Sequence, residues 1–165
     1  MFNLWPQGKC CLAVGGAQFG QAYGMSQKKS PDLDGVKSIL TAAKKLNCNF
    51  IDTAPTYGNS ECLIGLSGLQ KKFKIITKLI RINETLSSSQ NEKLLNENLL
   101  KSISRLKVKK LYGVLIHQPH DLEIFDRNFF VYFFEKFRED YPETKIGLSV
   151  YNENDVDRIL EVFTP

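Results

Sequence analysis

Apolar positions along this 165-residue chain fall into two alternating patterns. Short runs suited to buried strands stand at CCLAVGG (10–16), NFID (49–52), KIIT (74–77), LYGVLI (111–116) and KIGLSV (145–150). Between them the spacing turns helical. Val36, Ile39, Leu40, Ala43 and Leu46 mark one helix face, and Leu95, Leu99, Ile103 and Leu106 another. The aromatic-rich FDRNFFVYFFEKF (125–137) predicts a helix packed into the core. A short helix is predicted over about 59–68, and a last one through Val156, Ile159, Leu160 and Phe163. Polar punctuation sets the expected ends. Ser30-Pro31 reads as an N-cap followed by proline at the first helical position, and Asn154 as the cap of the last helix. The segment from Gly16 to Ser30 and the polar RINETLSSSQN (81–91) read as loops.

Strand then helix, five times over, with about 25–40 residues between strands, predicts parallel strands joined by helical crossovers. That is an α/β fold. No stretch rich in Pro, Gly or Ser divides the chain, so residues 1–165 are expected to form one domain.

The strands share a feature at their carboxyl ends. The second ends on Asp52, the third runs into Lys78, the fourth into His117 and the fifth into Ser149. In a parallel α/β sheet these ends lie on one side. Tyr57, in the loop after Asp52, can reach the same place. If strand order follows chain order, Asp52 and Lys78 are neighbours, and a buried carboxylate and ammonium tolerate burial as a pair. An ammonium beside Tyr57 would stabilise its phenolate and lower its pKa from about 10. Such a tyrosine can give a proton to a carbonyl oxygen or take one from an alcohol. His117 could orient that carbonyl. These are parts for reversible carbonyl reduction, with the hydride supplied by a cofactor. Taken singly, each has a plainer reading: Asp52 as a turn or helix cap, Tyr57 as packing, Lys78 as surface, His117 as a turn histidine before Gln118-Pro119. Their coincidence at one end of consecutive units carries the case. His120 has no such placement and reads as surface.

Composition changes this picture little. Hydrophobic content of 42% and charged content of 24% are ordinary for a soluble globular protein. The net charge of +4, with lysines spread along the chain, reads as a solvated surface and argues against nucleic acid as a partner. Four cysteines, Cys10, Cys11, Cys48 and Cys62, show no zinc-ligand spacing, so no metal is expected, and Cys10 and Cys11 should pack as small hydrophobes. No basic-then-apolar segment opens the chain and no apolar run approaches ~20 residues. A reduced, cytoplasmic protein with no membrane contact is the expectation.

Together and in order, VGGAQFGQAYG (14–24), NFIDTAPTYGNSE (49–61), KIITK (74–78), LYGVLIHQP (111–119) and IGLSVYN (146–152) resemble the aldo-keto reductases. The resemblance runs through essentially the whole chain, and its wording is closest to the bacterial branch often encoded near polysaccharide genes. It implies a (β/α)8 barrel of TIM-barrel type using NADPH, with NADH in some members, and no Rossmann domain. The chain indeed lacks a GxGxxG between strand and helix. The resemblance further implies Tyr57 as proton donor, Asp52 and Lys78 as the pair that tunes it, and His117 as the residue that orients the carbonyl. Ser149 matches the serine that bonds the nicotinamide carboxamide, and Gly16, Ala17 and Gln18 match the loop beside the cofactor. The implied substrate is a small carbonyl compound, sugar-like if the branch holds.

Two departures stand out. Val150 occupies a position where many members carry asparagine. A full barrel needs eight units and ~250 residues, whereas this chain supplies about five. The last three strands, the aromatic that stacks on the nicotinamide and the basic loop for the 2′-phosphate have no counterpart. A five-stranded arc has open edges that favour pairing with another chain. Three readings stay open: part of a longer reading frame, a remnant with fold but no activity, and a half-barrel that self-associates. A reductase-like interaction module is the non-enzymatic alternative. A flavodoxin-like sheet would need a phosphate loop or an acidic cluster at its strand ends, and neither is seen.

Overall fold

Parallel pairing keeps in-register residues on one face of a sheet, so register decides which side chains meet. The computed structural model describes residues 12–21, 29–125 and 127–157. Its five strands are β1 (Ala13–Gly15), β2 (Phe50–Asp52), β3 (Lys74–Lys78), β4 (Gly113–Ile116) and β5 (Lys145–Leu148). They lie side by side in the order β1-β2-β3-β4-β5, all parallel. Ile51 pairs with Ile75, and Val114 with Ile146, which sets one parity toward the helices. Asp52 pairs with Ile76 and Lys78 with Leu115, which sets the other parity inward.

The helices are α1 (Ala17–Gly20), α2 (Leu33–Lys45), α3 (Ser60–Leu66), α4 (Ser88–Leu106), α5 (Asp121–Ile124) and α6 (Arg127–Asp140). The main core lies between them and the outer face of the sheet. Ile51, Ile75, Val114 and Ile116 meet Val36 and Leu40 of α2, Ile64 of α3, Leu95, Leu99 and Leu106 of α4, and Phe130, Phe133, Phe134 and Phe137 of α6. The aromatic run of α6 is therefore core. The inner face is less covered: Phe50, Asp52, Ile76 and Leu115 are half-buried. Parallel order, alternating helices and this layering are those of a partial (β/α)8 barrel. Among the described residues no helix is long and apolar enough to cross a membrane.

Several boundaries differ from the sequence expectation. The cap of α2 is Asp32, whose side chain accepts from Gly35 N at 2.8 Å, so Ser30 is not the cap and Pro31 precedes it. An aspartate one residue after proline offers its carboxylate to the first turn, which a serine before proline cannot reach. On the same helix Ile39 is exposed, at 41%, as is its C-cap Leu46, at 73%; of the predicted face only Val36 and Leu40 are fully buried. The segment 81–91 is not all loop, because α4 begins at Ser88. Ser87 and Gln90 form a reciprocal capping box there, a pattern that makes a serine run a helix start. Helical backbone over 153–157 is capped by Asn152, which accepts from Asp155 N at 3.1 Å, rather than by Asn154. Cys10, Cys11, Ile159, Leu160 and Phe163 lie outside the described residues.

Candidate active site

Strand alternation places Asp52, Lys78 and His117 on the inner parity, each two residues on from an inward-facing neighbour. Lys78 stands two residues beyond the register partner of Asp52, an offset of roughly 6–7 Å. A lysine stem spans that gap. The Lys78 ammonium donates to Asp52 Oδ1 at 2.8 Å, to Oδ2 at 2.9 Å and to the Thr53 carbonyl at 3.0 Å. Three acceptors match its three protons. This explains how Lys78 is only 3% exposed while Asp52 keeps 38% of its side chain accessible: the cation is buried because it is saturated.

Tyr57 is half-buried and stands beside this pair. The Lys78 nitrogen lies 5.0 Å from the centre of its ring. The His117 ring packs edge-on against it, with centroids 5.8 Å apart and planes at 87°. His117 Nδ1 lies 3.4 Å from Thr56 Oγ1. Burial holds His117 below its ordinary pKa, the Lys78 cation pushes it further down, and Asp52 opposes both. The imidazole is therefore neutral at neutral pH and able to donate or accept a hydrogen bond.

The loop that carries Tyr57 is held from behind by glycines. A Cβ on Gly20 would lie 1.7 Å from the Tyr57 carbonyl oxygen, so α1 and this loop touch backbone to backbone. Gly58, at φ +53°, faces the Gly20 carbonyl, 2.3 Å from where its own Cβ would lie. The preceding turn is anchored through Gly16 N, which donates to Asp52 O at 2.7 Å. Ala17 and Gln18 continue from Gly16 into α1, Ala17 half-buried and Gln18 exposed. Ser149 N donates to Ile116 O at 2.9 Å, extending the β4–β5 ladder to the level of His117.

The structure thus gathers Asp52, Tyr57, Lys78 and His117 by direct contact. Gly16 lies against the end of β2, and Ser149 lies next to the end of β4. Sequence reasoning missed a second polar layer behind them. Glu61, 1% exposed, accepts from Thr77 Oγ1 at 2.7 Å and from Arg105 at 2.7–2.8 Å. Ser60 Oγ lies 3.0 Å from Thr53 Oγ1. One signal could have found it: Thr77 is polar on the outward face of β3, where the other position is Ile75. Among the described residues no group of three His, Cys, Asp or Glu could hold a metal ion.

Comparison with known proteins agrees with the fold. The Aldo/keto reductase family model matches residues 11–139. A putative aldo-keto reductase structure from Pseudomonas aeruginosa is similar over 90% of this chain and 58% of its own, at 25% identity and TM-score 0.68. A glycerol dehydrogenase from Gluconobacter oxydans is similar over 91% of this chain and 47% of its own, at 27% identity and TM-score 0.63. An aldo-keto reductase from Bacillus halodurans, in its holo form, shares the fold at 18% identity and TM-score 0.66 over 93% of this chain and 50% of its own. No curated protein sequence matches. The chain spans about half the length of these structures. With the family model covering most of its residues, the chain belongs to the aldo/keto reductase family.

Proposed function

We propose that this domain carries the catalytic end of an NADPH-dependent reductase of small aldehydes and ketones, with NADH as the alternative cofactor. One observation carries the reading. A buried, fully bonded lysine cation lies over a tyrosine ring, and a neutral imidazole packs against that ring's edge. The residues fit the nicotinamide end of such a cofactor. The Ser149 hydroxyl at the end of β5 offers a hydrogen bond to a carboxamide, and Gly16, Ala17 and Gln18 would flank it from β1. When bound, the cofactor supplies the hydride that this chain's side chains cannot.

Tyr57 serves as the acid that protonates the carbonyl oxygen. Lys78 acts on it as a fixed positive charge at short range, so negative charge developing on the phenol oxygen meets a cation already in place. Asp52 holds that cation without neutralising the whole neighbourhood, because its own carboxylate stays partly in solvent. His117 is neutral and donates a hydrogen bond to the same carbonyl oxygen, which fixes the substrate's orientation. The relative named glycerol dehydrogenase and the half-exposed site favour a small polyhydroxylated substrate, sugar-like in character. The test is Tyr57→Phe, followed by NADPH consumption with short aldehydes and ketoses and by calorimetric cofactor binding. Turnover should fall about 10²- to 10⁴-fold with cofactor affinity unchanged. A variant as fast as the parent would remove Tyr57 from the reaction.

A second reading rests on the sheet edges. Among the described residues β1 and β5 each pair on one side, and Val150 and Tyr151 beyond β5 are 44% and 67% exposed. A domain with two such edges suits association with a second copy or another chain. Sedimentation of the isolated chain distinguishes the cases: a monomer that binds NADPH favours the reductase alone, and a stable oligomer without nucleotide binding favours the module.

A further inference from the structure

The polar layer behind the site has a geometry that reaches Tyr57. Lys78 faces inward from β3, and alternation turns its neighbour Thr77 to the opposite face. There the Thr77 hydroxyl donates to Glu61 Oε1 at 2.7 Å, with both residues fully buried. Glu61 is the second residue of α3, four positions after Tyr57. Chain and contacts close a ring: Tyr57 to Glu61 along the backbone, Glu61 to Thr77 by hydrogen bond, Thr77 to Lys78 along β3, and Lys78 back over the Tyr57 ring.

The other carboxylate oxygen of Glu61 keeps that bond in one place. Arg105, near the end of α4, meets Oε2 through Nε at 2.8 Å and through a terminal nitrogen at 2.7 Å, and its guanidinium also donates to Ser102 at 3.0 Å. Charge-assisted contacts of this type fix geometry better than a single neutral bond. The two helices approach closely enough for this because Gly65 has no side chain; a Cβ there would lie 2.0 Å from Arg105 O. The other end of the Tyr57 loop is tied as well. Ser60 Oγ meets Thr53 Oγ1 at 3.0 Å, and Thr53 O accepts from Lys78. The loop from Thr53 to Asn59 is thereby pinned at both ends to the strands that carry Asp52 and Lys78.

We propose that Glu61, with Thr77 and Arg105, is a positioning residue that sets Tyr57 against Lys78 and His117. This rests on the proposed reductase reading for its kinetic consequence but not for its geometry. An error of about 1 Å in a reacting group is enough to cost about 100-fold in rate.

The test uses Thr77→Val, which keeps the shape and removes the donor, with Thr77→Ser as the conservative rescue. Two readouts are taken on samples of equal folded fraction: the nuclear Overhauser contact between the Tyr57 and His117 rings, and kcat against KM for carbonyl reduction. Thr77→Val should weaken the ring contact several-fold and lower kcat about 10- to 100-fold with little change in KM. Thr77→Ser should restore both. If Thr77→Val fails to fold, Glu61→Gln keeps the volume and loosens the Arg105 end. A ring contact weakened several-fold supports the proposal there too. A ring contact at parental intensity in a folded Thr77→Val or Glu61→Gln overturns it. A parent without turnover would instead count against the reductase reading, and the ring contact would still decide the positioning role.

Discussion

Glu61 and Asp121 are both carboxylates with 1% of their surface exposed, and each stands in the first turn of a short helix, α3 and α5. Their surroundings differ. Glu61 has a hydroxyl on one oxygen and a guanidinium on the other. Asp121 has an oxygen, Oδ1, with no hydrogen-bond partner among the described residues, and its nearest cation, Arg81, stands 3.9 Å away with 60% of its side chain in solvent. Burial pushes the Asp121 pKa up to about 6, and a backbone hydrogen bond from Ile82 offsets that only in part. Equal burial therefore has opposite consequences. At Glu61 the charge is answered and the carboxylate becomes a fixed joint between three elements. At Asp121 it is answered weakly, so the charged form opposes folding.

The largest effect should come from removing the answered charge. Glu61→Ala leaves Thr77 without its acceptor and Arg105 without its partner. Loss of one member of a buried pair costs about 3–5 kcal/mol. Arg105 is 32% exposed and can turn to water, which favours the lower end of that range. Urea unfolding of parent and variant checks this. A difference below about 1 kcal/mol would mean that Glu61 is no better placed than a surface ion pair.

Removing the poorly answered charge should do the reverse. The folded-state pKa of Asp121 lies near 6, above its ordinary value of 3.8. The folded protein thus binds the proton more tightly than the unfolded chain. Stability from this group is fully present below pH 3.8, declines as pH rises, and is lost above about 6. Asp121→Asn should raise stability at pH 7.5 by on the order of 1–2 kcal/mol after allowance for screening, and leave it unchanged near pH 3.5. Thermal melts at the two pH values read this directly. Equal gains at both would assign the effect to packing rather than charge.

Position in the sheet and pairing across the chain also decide what can be read from the sequence. Asp52, Tyr57, Lys78 and His117 were legible because parallel strands force their ends to one side, and each apolar run ends in a polar residue. The pairing of Asp52 with Lys78 followed from strand order, although the two-residue offset between them did not. Glu61 was not legible. A glutamate in the first turn of a short helix ordinarily faces water, and its partner Arg105 lies 44 residues away with no local pattern linking them. Asp121 was hidden for a related reason: a polar stretch after His117 reads as surface, as His120 in fact is, bonded to Glu123 at 2.7 Å. The caps at Asp32 and Asn152 were misplaced because several residues of capping type stand together at both sites. Only backbone geometry chooses among them.

The smallest effect, and the finest probe, concerns Arg81. It is shared: it holds Glu84 at 3.4 Å and Asp121 at 3.9 Å. Its cation pulls the Asp121 pKa down, as does His120, while Glu84 pushes it up. Arg81→Gln removes one downward influence, so the Asp121 titration should move above 6, and the fall in stability with pH should move with it. The shift must be modest, because an exposed pair is worth about 0.2–1 kcal/mol. Carbon-13 titration of the Asp121 carboxyl would resolve it. Salt supplies the control. At ~1 M ionic strength, where screening acts over about 3 Å, the parent should titrate close to the variant. If the two titrate alike even at low salt, Arg81 does not act on Asp121, and burial, the Ile82 bond, His120 and Glu84 set its pKa without it. If they differ at low salt and converge at high salt, the weak pair at Asp121 is a solvent-screened one, unlike the buried joint at Glu61.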